Sequence, residues 1–338
     1  MHDSFASGPE GLSISAIERD TGVPKDTLRV WERRYGFPLP VRDAQGERLY
    51  SHADLERLRM IRRLMDAGHR PGKIIGLSVD ELRRLTVDAL APAGGKGTAP
   101  EVPDDLRRFI DLIKAHDVEA LRTSLSQAAL RMGLDRFVKE VSAPLNALVG
   151  EAWASGQLEV FEEHLYTESL QVVLRNAIGT IPTSGSHSPR VLLTTFPGEV
   201  HGLGLLMAEA LLALDGCRCS SLGTQTPVWD IVRAASVKPI DIVALSFSAC
   251  LNANQVLDGL TELRARLPAT VDVWAGGRCP VLHRRPPAGV TVLPSLSDIA
   301  PAVRQWRAAR QDGLGSGASG PAQPAERAQA TNSDSTPV

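Results

Sequence analysis

The chain has 338 residues, 43% of them hydrophobic and 22% charged, with 37 Lys and Arg against 39 Asp and Glu. That is globular composition with length for two or three domains, and a formal charge of −2 excludes bulk charge as a means of holding nucleic acid or a membrane. No secretory signal or bilayer-spanning apolar run occurs, so a cytoplasmic protein with reduced thiols is expected. Cys217, Cys219, Cys250 and Cys279 form no CxxC pair and no zinc spacing, and they read as small core residues.

The charge is uneven along the chain. Residues 11–85 hold 15 Lys/Arg against 11 Asp/Glu, a basic head that points to a polyanionic partner. A short helix opens at Leu12-Ser13-Ile14 with Ser13 as candidate N-cap and ends at Thr21-Gly22. Gly22 suits the turn of a helix-turn-helix, with Val23 buried in it and Pro24 entering the next helix. That helix, Lys25 to Tyr35, places Leu28, Trp31 and Tyr35 on a core face. Lys25, Thr27, Arg29, Arg33 and Arg34 remain for phosphates and base edges. After Gly36-Phe37-Pro38, the stretch Arg42 to Tyr50 reads as a β-hairpin wing turning near Gly46, with Arg42 and Arg48 at its flanks. Ser51 caps a further helix with Leu55, Leu58, Ile61 and Met65 at helical spacing, and Pro71-Gly72-Lys73 starts another.

This order, with Thr27-Leu-Arg-Val-Trp-Glu-Arg-Arg-Tyr-Gly36 and Arg48-Leu-Tyr-Ser51, resembles the DNA-binding domain of the MerR family. The resemblance implies DNA contacts by Lys25, Thr27, Arg29, Arg33, Arg34, Arg42, Arg48 and Tyr50. MerR-type dimers continue into a long coiled coil, whereas here the helical pattern runs out near Leu85-Thr86-Val87.

Residues 88–103, rich in Ala, Gly and Pro, read as a flexible linker. From 104 to 182 the pattern is helical: Leu106–Ala115, Val118–Met132, Leu134–Ala154 with a kink at Ser142-Ala143-Pro144, and Glu159–Ile181. Four helices with short loops predict an antiparallel bundle. Trp153 closes the third helix and, after nine residues, Glu163-His164 open the fourth, so an indole, a carboxylate and an imidazole can line one opening.

From 189 to 309 strands and helices alternate. The expected strands are Val191–Phe196, Cys217–Leu222, Ile240–Phe247, Val271–Trp274 and Val290–Leu293. The expected helices are Leu203–Leu214, Trp229–Ser236, Ala253–Leu267 and Ser297–Ala308. This predicts a doubly wound parallel sheet. Residues 310–338 lack apolar periodicity and are expected to be a disordered tail.

Three elements fall at the expected strand ends. Glu199-Val-His201-Gly-Leu-Gly204 is followed after 41 residues by Ser246-Phe-Ser248, and after 27 more by Gly276-Gly277. A histidine after a strand is often only a helix-start residue. With a hydroxyl and paired glycines at the same sheet edge, it borders a deep slot instead. The spacing resembles the cobalamin-binding domain that holds its corrinoid through a histidine on cobalt. The resemblance makes His201 the lower cobalt ligand, Glu199 the hydrogen-bond partner of its other ring nitrogen, and Gly204, Ser246, Ser248, Gly276 and Gly277 the lining of the slot for the nucleotide tail. The family pattern has Asp where this chain has Glu199 and Leu where it has Ser248.

Head, bundle and α/β domain together resemble the CarH/LitR-type adenosylcobalamin photoreceptor repressors. The resemblance implies that Trp153, Glu163 and His164 enclose the 5′-deoxyadenosyl group, and that light breaks the cobalt–carbon bond and releases DNA. It departs at Ala154, where members of that family carry a histidine that takes the upper cobalt position after photolysis; His164 is the candidate substitute.

The expectation is therefore a multidomain chain: a winged helix-turn-helix at 11–87, a linker at 88–103, a four-helix bundle at 104–182 and a Rossmann-like α/β domain at 189–309. It is read as a non-enzymatic, oligomeric transcriptional regulator, a repressor that binds double-stranded operator DNA and adenosylcobalamin and responds to light. Two alternatives remain: a corrinoid methyl-carrier subunit, which has no use for a wing, and a MerR-like regulator sensing another tetrapyrrole or a partner protein.

Overall fold

The computed structural model describes residues 11–66, 69–90, 103–182, 189–249 and 251–315. The central part of the expected linker, Cys250 and the tail beyond 315 lie outside them. In the head, β1 (Leu12–Ser13) leads into α1 (Ile14–Thr21) and α2 (Lys25–Tyr35); β2 (Val41–Arg42) and β3 (Arg48–Tyr50) form the wing. α3 (His52–Asp66), α4 (Pro71–Ile74) and α5 (Val79–Leu90) follow. Ser13 Oγ accepts from the Ala16 amide, and Ser51 Oγ from that of Asp54, so both expected caps form. Gly22 turns the chain at φ 65° and Val23 is buried beside it. The α2 amide at Lys25 is satisfied by the Glu18 carboxylate.

Two expectations change here. The hairpin is a three-stranded sheet, because Leu12 and Ser13 pair with Tyr50 and Leu49 before the first helix begins. Two residues are too few for strand alternation to register in the sequence. Helix α5 continues to Leu90, through the first three residues expected to be linker. It lies against a bundle helix.

The bundle comprises α6 (Asp104–Lys114), α7 (Val118–Met132), the short α8 (Leu134–Arg136), a π-helical turn (Phe137–Ser142), α9 (Ala143–Ala154) and α10 (Val160–Gly179). The kink expected at Pro144 takes the form of that π turn. Proline offers no amide to the carbonyl four residues back, and the chain widens instead, with the Ala143 amide bonding to the Val138 carbonyl. The α10 amides are closed by a reciprocal box between Glu159 and Glu162. Phe109, Leu125, Phe137, Leu145, Tyr166 and Leu170 form the bundle core.

The last domain runs β4 (Arg190–Thr194), α11 (Leu203–Leu214), β5 (Arg218–Ser221), α12 (Val228–Val237), β6 (Ile242–Phe247), α13 (Ala253–Arg266), β7 (Asp272–Gly277), α14 (Pro280–Arg284), β8 (Val290–Leu293) and α15 (Ile299–Gly315). The five strands are parallel in the order β5-β4-β6-β7-β8. The order reverses between β4 and β6, the crevice in which such sheets bind ligands. Helices α12, α13 and α14 cover one face. Helix α11 and the start of α15 cover the other, in one core continuous with the bundle. The expected tail starts later than 310. Helix α15 runs to Gly315, Arg310 stacks over Trp306 at 4.5 Å and its guanidinium donates to the Thr270 carbonyl.

Asp241 at the base of β6 accepts three hydrogen bonds of 2.8 Å from Arg190, one from its amide and two from its guanidinium, clamping β4 to β6. These bonds from Arg190 outweigh burial and hold the Asp241 carboxyl below its usual value. A depressed carboxyl gives stability that is present above the unfolded value of about 4 and lost as pH falls through the folded one. Because the Arg190 side chain is 40% exposed, water screens the pair. Asp241→Asn is expected to cost about 1 kcal/mol at pH 7 and to flatten the acid limb of stability below pH 4. Urea titrations at pH 3 and pH 7 check this; an equal loss at both would assign the effect to packing.

Candidate functional site

The carboxyl end of β4 turns sharply. Gly198 adopts φ 87°, and the Thr195 hydroxyl donates to the Glu199 carbonyl at 2.7 Å, folding the loop back over the strand end. This buries Glu199 to 1% exposure while His201 remains half exposed. A buried carboxylate must be hydrogen-bonded, and Glu199 accepts four bonds. Oε1 takes the His201 amide at 3.1 Å and His201 Nδ1–H at 2.6 Å; Oε2 takes the amide and hydroxyl of Ser248, each at 2.7 Å. Burial alone would push this carboxyl up, but the bonds from His201 and Ser248 prevail and hold it below its ordinary value. An ionised Glu199 fixes the proton on Nδ1.

Ser248 was expected as slot lining alone. It borders the cavity and also secures the carboxylate, as an extension of β6 beside the β4 loop. The two departures from the family pattern thus meet: the longer Glu199 side chain reaches a hydroxyl that leucine would not offer.

Below His201 lies a cavity of about 360 Å³. Its walls include His201, Gly204, Ser246, Ser248, Gly276 and Gly277, so the structure brings together six of the seven residues expected there, and Glu199 stands behind His201. The glycines hold the walls close. A Cβ on Gly204 would stand 3.0 Å from Ser246 Oγ; one on Gly277, at φ 108°, would collide with the Phe247 backbone carbonyl. The remaining wall is mainly apolar, with Leu193, Leu205, Leu212, Phe247 and Trp274. Lys139, Asn146 and Arg278 also line it and were not foreseen. Lys139 and Asn146 come from the bundle, and no periodicity tells which helix residues face a sheet about 40 or more positions away.

Trp153, Glu163 and His164 do not line this cavity. They share one end of the bundle, where a tight turn joins α9 to α10 through the Gln157 amide and Ala152 carbonyl at 2.7 Å. Trp153 packs on the edge of the core. Glu163 accepts from the Thr167 hydroxyl at 2.6 Å and from exposed His164 Nδ1 at 2.7 Å. Among the described residues no cluster of three or more His, Cys, Asp or Glu could cage a bare metal ion. A histidine backed by a carboxylate, at a glycine-walled cavity, fits instead a metal already held by a macrocycle with an appended tail.

In the head, Lys25, Arg29, Arg33, Arg34 and Arg42 are exposed and Thr27 is half-buried. Arg29 pairs with Asp26, and the Arg42 guanidinium donates to the Gly46 carbonyl across the wing turn. Arg48 is tied at 3.0 Å to Glu32 of α2 and fastens the wing to that helix. Tyr50 is 1% exposed and belongs to the head core, so its expected DNA contact is withdrawn. Pairing with β1 turns its ring inward, which the three-residue strand could not reveal alone. Burial, then Glu32, raises its hydroxyl pKa. Burial likewise pushes the Cys217 thiol to about 12 and raises those of Cys219 and Cys279, as suits inert core thiols.

Comparison with known proteins places families on these parts. Residues 12–83 match the MerR HTH family of regulatory proteins, and residues 105–177 and 189–291 each match a B12 binding domain. The HTH-type transcriptional repressor CarH of Myxococcus xanthus is 32% identical over 263 residues, 78% of this chain and 87% of that protein. The repressor CarA of the same organism is 32% identical over 269 residues, 79% of this chain and 87% of its own length. Among solved structures, the monomethylamine corrinoid protein of Methanosarcina barkeri aligns with 59% of this chain and 96% of its own, at 15% identity and a TM-score of 0.47.

Proposed function

This chain belongs to the MerR-type transcriptional regulators that carry B12-binding domains, and from that premise we propose that it is a repressor whose operator binding is set by adenosylcobalamin and by light. It is a DNA-binding regulator under cobalamin control and not an enzyme. The observation that carries the adenosylcobalamin reading is the placing of two sets of groups. His201 stands over the apolar cavity, and Trp153, Glu163 and His164 stand apart from it at the end of the bundle. Adenosylcobalamin would engage both sets, the first through its cobalt and nucleotide tail and the second through its adenosyl group.

In this reading His201 offers Nε2 to cobalt, while Glu199 and Ser248 hold its tautomer. Gly204, Ser246, Gly276 and Gly277 leave room for the nucleotide tail. Trp153 would cover the adenosyl group with a flat apolar face, Glu163 would accept from ribose hydroxyls, and His164 would add a hydrogen-bonding imidazole. When bound, adenosylcobalamin supplies a cobalt–carbon bond that light breaks. The protein's part is to favour one assembly while the upper group is enclosed and another when it has gone. One winged head covers a half-site, so the working unit is a dimer or a dimer of dimers on palindromic DNA in the cytoplasm.

The test is an absorption spectrum of protein mixed with adenosylcobalamin, desalted in the dark and then illuminated, with gel filtration before and after. Retained corrinoid and a light-dependent change of assembly are expected. Retention with no change of assembly would remove light from the proposal, and no retention would remove the cofactor.

The head makes its own prediction. Arg33→Ala should weaken DNA binding across sequences and lower the slope of log K against log salt by about 1. Titrations at four salt concentrations read the slope, and an unchanged slope would return Arg33 to solvent.

A further inference from the structure

Among the described residues, the ionisable groups lining the cavity are His201, Lys139 and Arg278, and no carboxylate lines it. A mainly apolar wall with a few hydroxyls, the Asn146 amide and two cations suits a ligand that is largely apolar and carries a negative charge. The two cations come from different domains. Lys139 lies in the π turn of the bundle, and Arg278 directly follows the Gly276-Gly277 end of β7.

The surroundings show how each cation is held. Lys139 pairs with Asp135 one turn back, at 2.6 Å, an exposed helical pair of the kind worth only a few tenths of a kcal/mol. Such a pair yields readily to an anion inside a less polar cavity. The Arg278 amide donates to the Phe247 carbonyl at 2.8 Å, which fixes its backbone at the rim. Its charge acts on Glu151 of α9, whose carboxyl burial holds above its usual value although Arg278 lowers it in part. The π turn matters because inserted turns of this kind recur at functional sites. Here Phe137, Val138, Val141 and Ser142 are buried in the bundle while Lys139 is left at the cavity wall.

Resting on the cobalamin reading above, we propose that Lys139 and Arg278 take the phosphodiester of the nucleotide tail, so that the bundle and the α/β domain hold the tail from opposite sides. The phosphodiester is the tail's one negative charge, and its alternative in an apolar cavity is to go unpaired. The tail then does more than fill a slot in the α/β domain. It joins that domain to the helices that carry Trp153 and Glu163, and the protein selects complete cobalamins over corrinoids lacking the nucleotide.

The test titrates wild type, Lys139→Ala, Lys139→Arg and Arg278→Ala with hydroxocobalamin and with diaquacobinamide, which has the corrin and cobalt but no tail, following the visible spectrum in the dark. Lys139→Ala should weaken hydroxocobalamin about tenfold and leave diaquacobinamide within about twofold of wild type. Lys139→Arg should restore most of the loss, and Arg278→Ala should resemble Lys139→Ala. Equal losses for both corrinoids, or no loss for either, would overturn the proposal while leaving cobalamin binding intact. Wild type that binds neither corrinoid would overturn the cobalamin reading itself.

Discussion

Replacing His201 with alanine is expected to abolish retention of cobalamin through desalting while leaving the fold intact. The imidazole is half exposed, and its loss opens no void in the core. The graded companion is Glu199→Gln. Removing the partner of a metal-bound histidine typically costs 10–100-fold in affinity, and the amide keeps the size while losing the charge that orients Nδ1–H. Ser248→Ala removes one of the two bonds to Glu199 Oε2 and keeps the amide bond, so its loss should be smaller than that of Glu199→Gln. The order His201→Ala, Glu199→Gln, Ser248→Ala in retained corrinoid tests the arrangement. Full retention by His201→Ala would assign the Glu199-His201 pair to loop structure alone.

Gly277→Ala is expected to have the largest effect on stability. The residue ends β7 at φ 108°, a conformation that costs a residue with a side chain about 1–3 kcal/mol. Its Cβ would also strike the Phe247 carbonyl on the adjacent strand, which must give way along the β6–β7 pairing. Together these predict a loss of about 3 kcal/mol or more, and at roughly 2–4 °C per kcal/mol a fall in Tm of about 6–12 °C. Gly150→Ala is the contrasting case. It lies within α9 with nothing within 4 Å of its added Cβ, so it should be neutral or raise stability by up to about 1 kcal/mol. Thermal melts of the two variants check the pair. A Gly277→Ala melt matching wild type would show that the strand ends relax freely, and the glycine walls would then not constrain the cavity.

Much of this architecture could be read from residues because local chemistry decided it. Ser13 and Ser51 cap the helices they were expected to cap, and Gly22 turns where a left-handed residue was needed. The alternating runs from Val191 onward gave strands and helices in the right order, with shifts of a few residues at their ends. The five-residue helix Pro280–Arg284 was missed because it is too short to establish a period. The spacing of Glu199-His201, Ser246 and Gly276-Gly277 foretold a shared sheet edge, since parallel strands bring their carboxyl ends together whatever their sequence separation.

What escaped depended on contacts between distant segments. Lys139 sits four residues after Asp135 and reads as half of a solvated helical pair; only the packing of the bundle on α11 places it at the cavity. Ser248 read as a substitution in a slot wall because its tie to Glu199 spans 49 positions. Tyr50 read as a wing contact because its inward turn depends on a two-residue strand 37 positions earlier.

The central claim is that cobalamin in the α/β domain governs DNA binding by the head. The most direct test selects a duplex from a random pool with protein saturated in adenosylcobalamin in the dark. That duplex is then titrated with the same protein in three states: without cofactor, with adenosylcobalamin in the dark, and with adenosylcobalamin after illumination, all at one salt concentration. The account predicts tightest binding in the dark with cofactor, and affinity at least about tenfold weaker in the other two states, a coupling of about 1.4 kcal/mol. Equal affinity in all three would contradict it and leave two competent domains with no coupling between them.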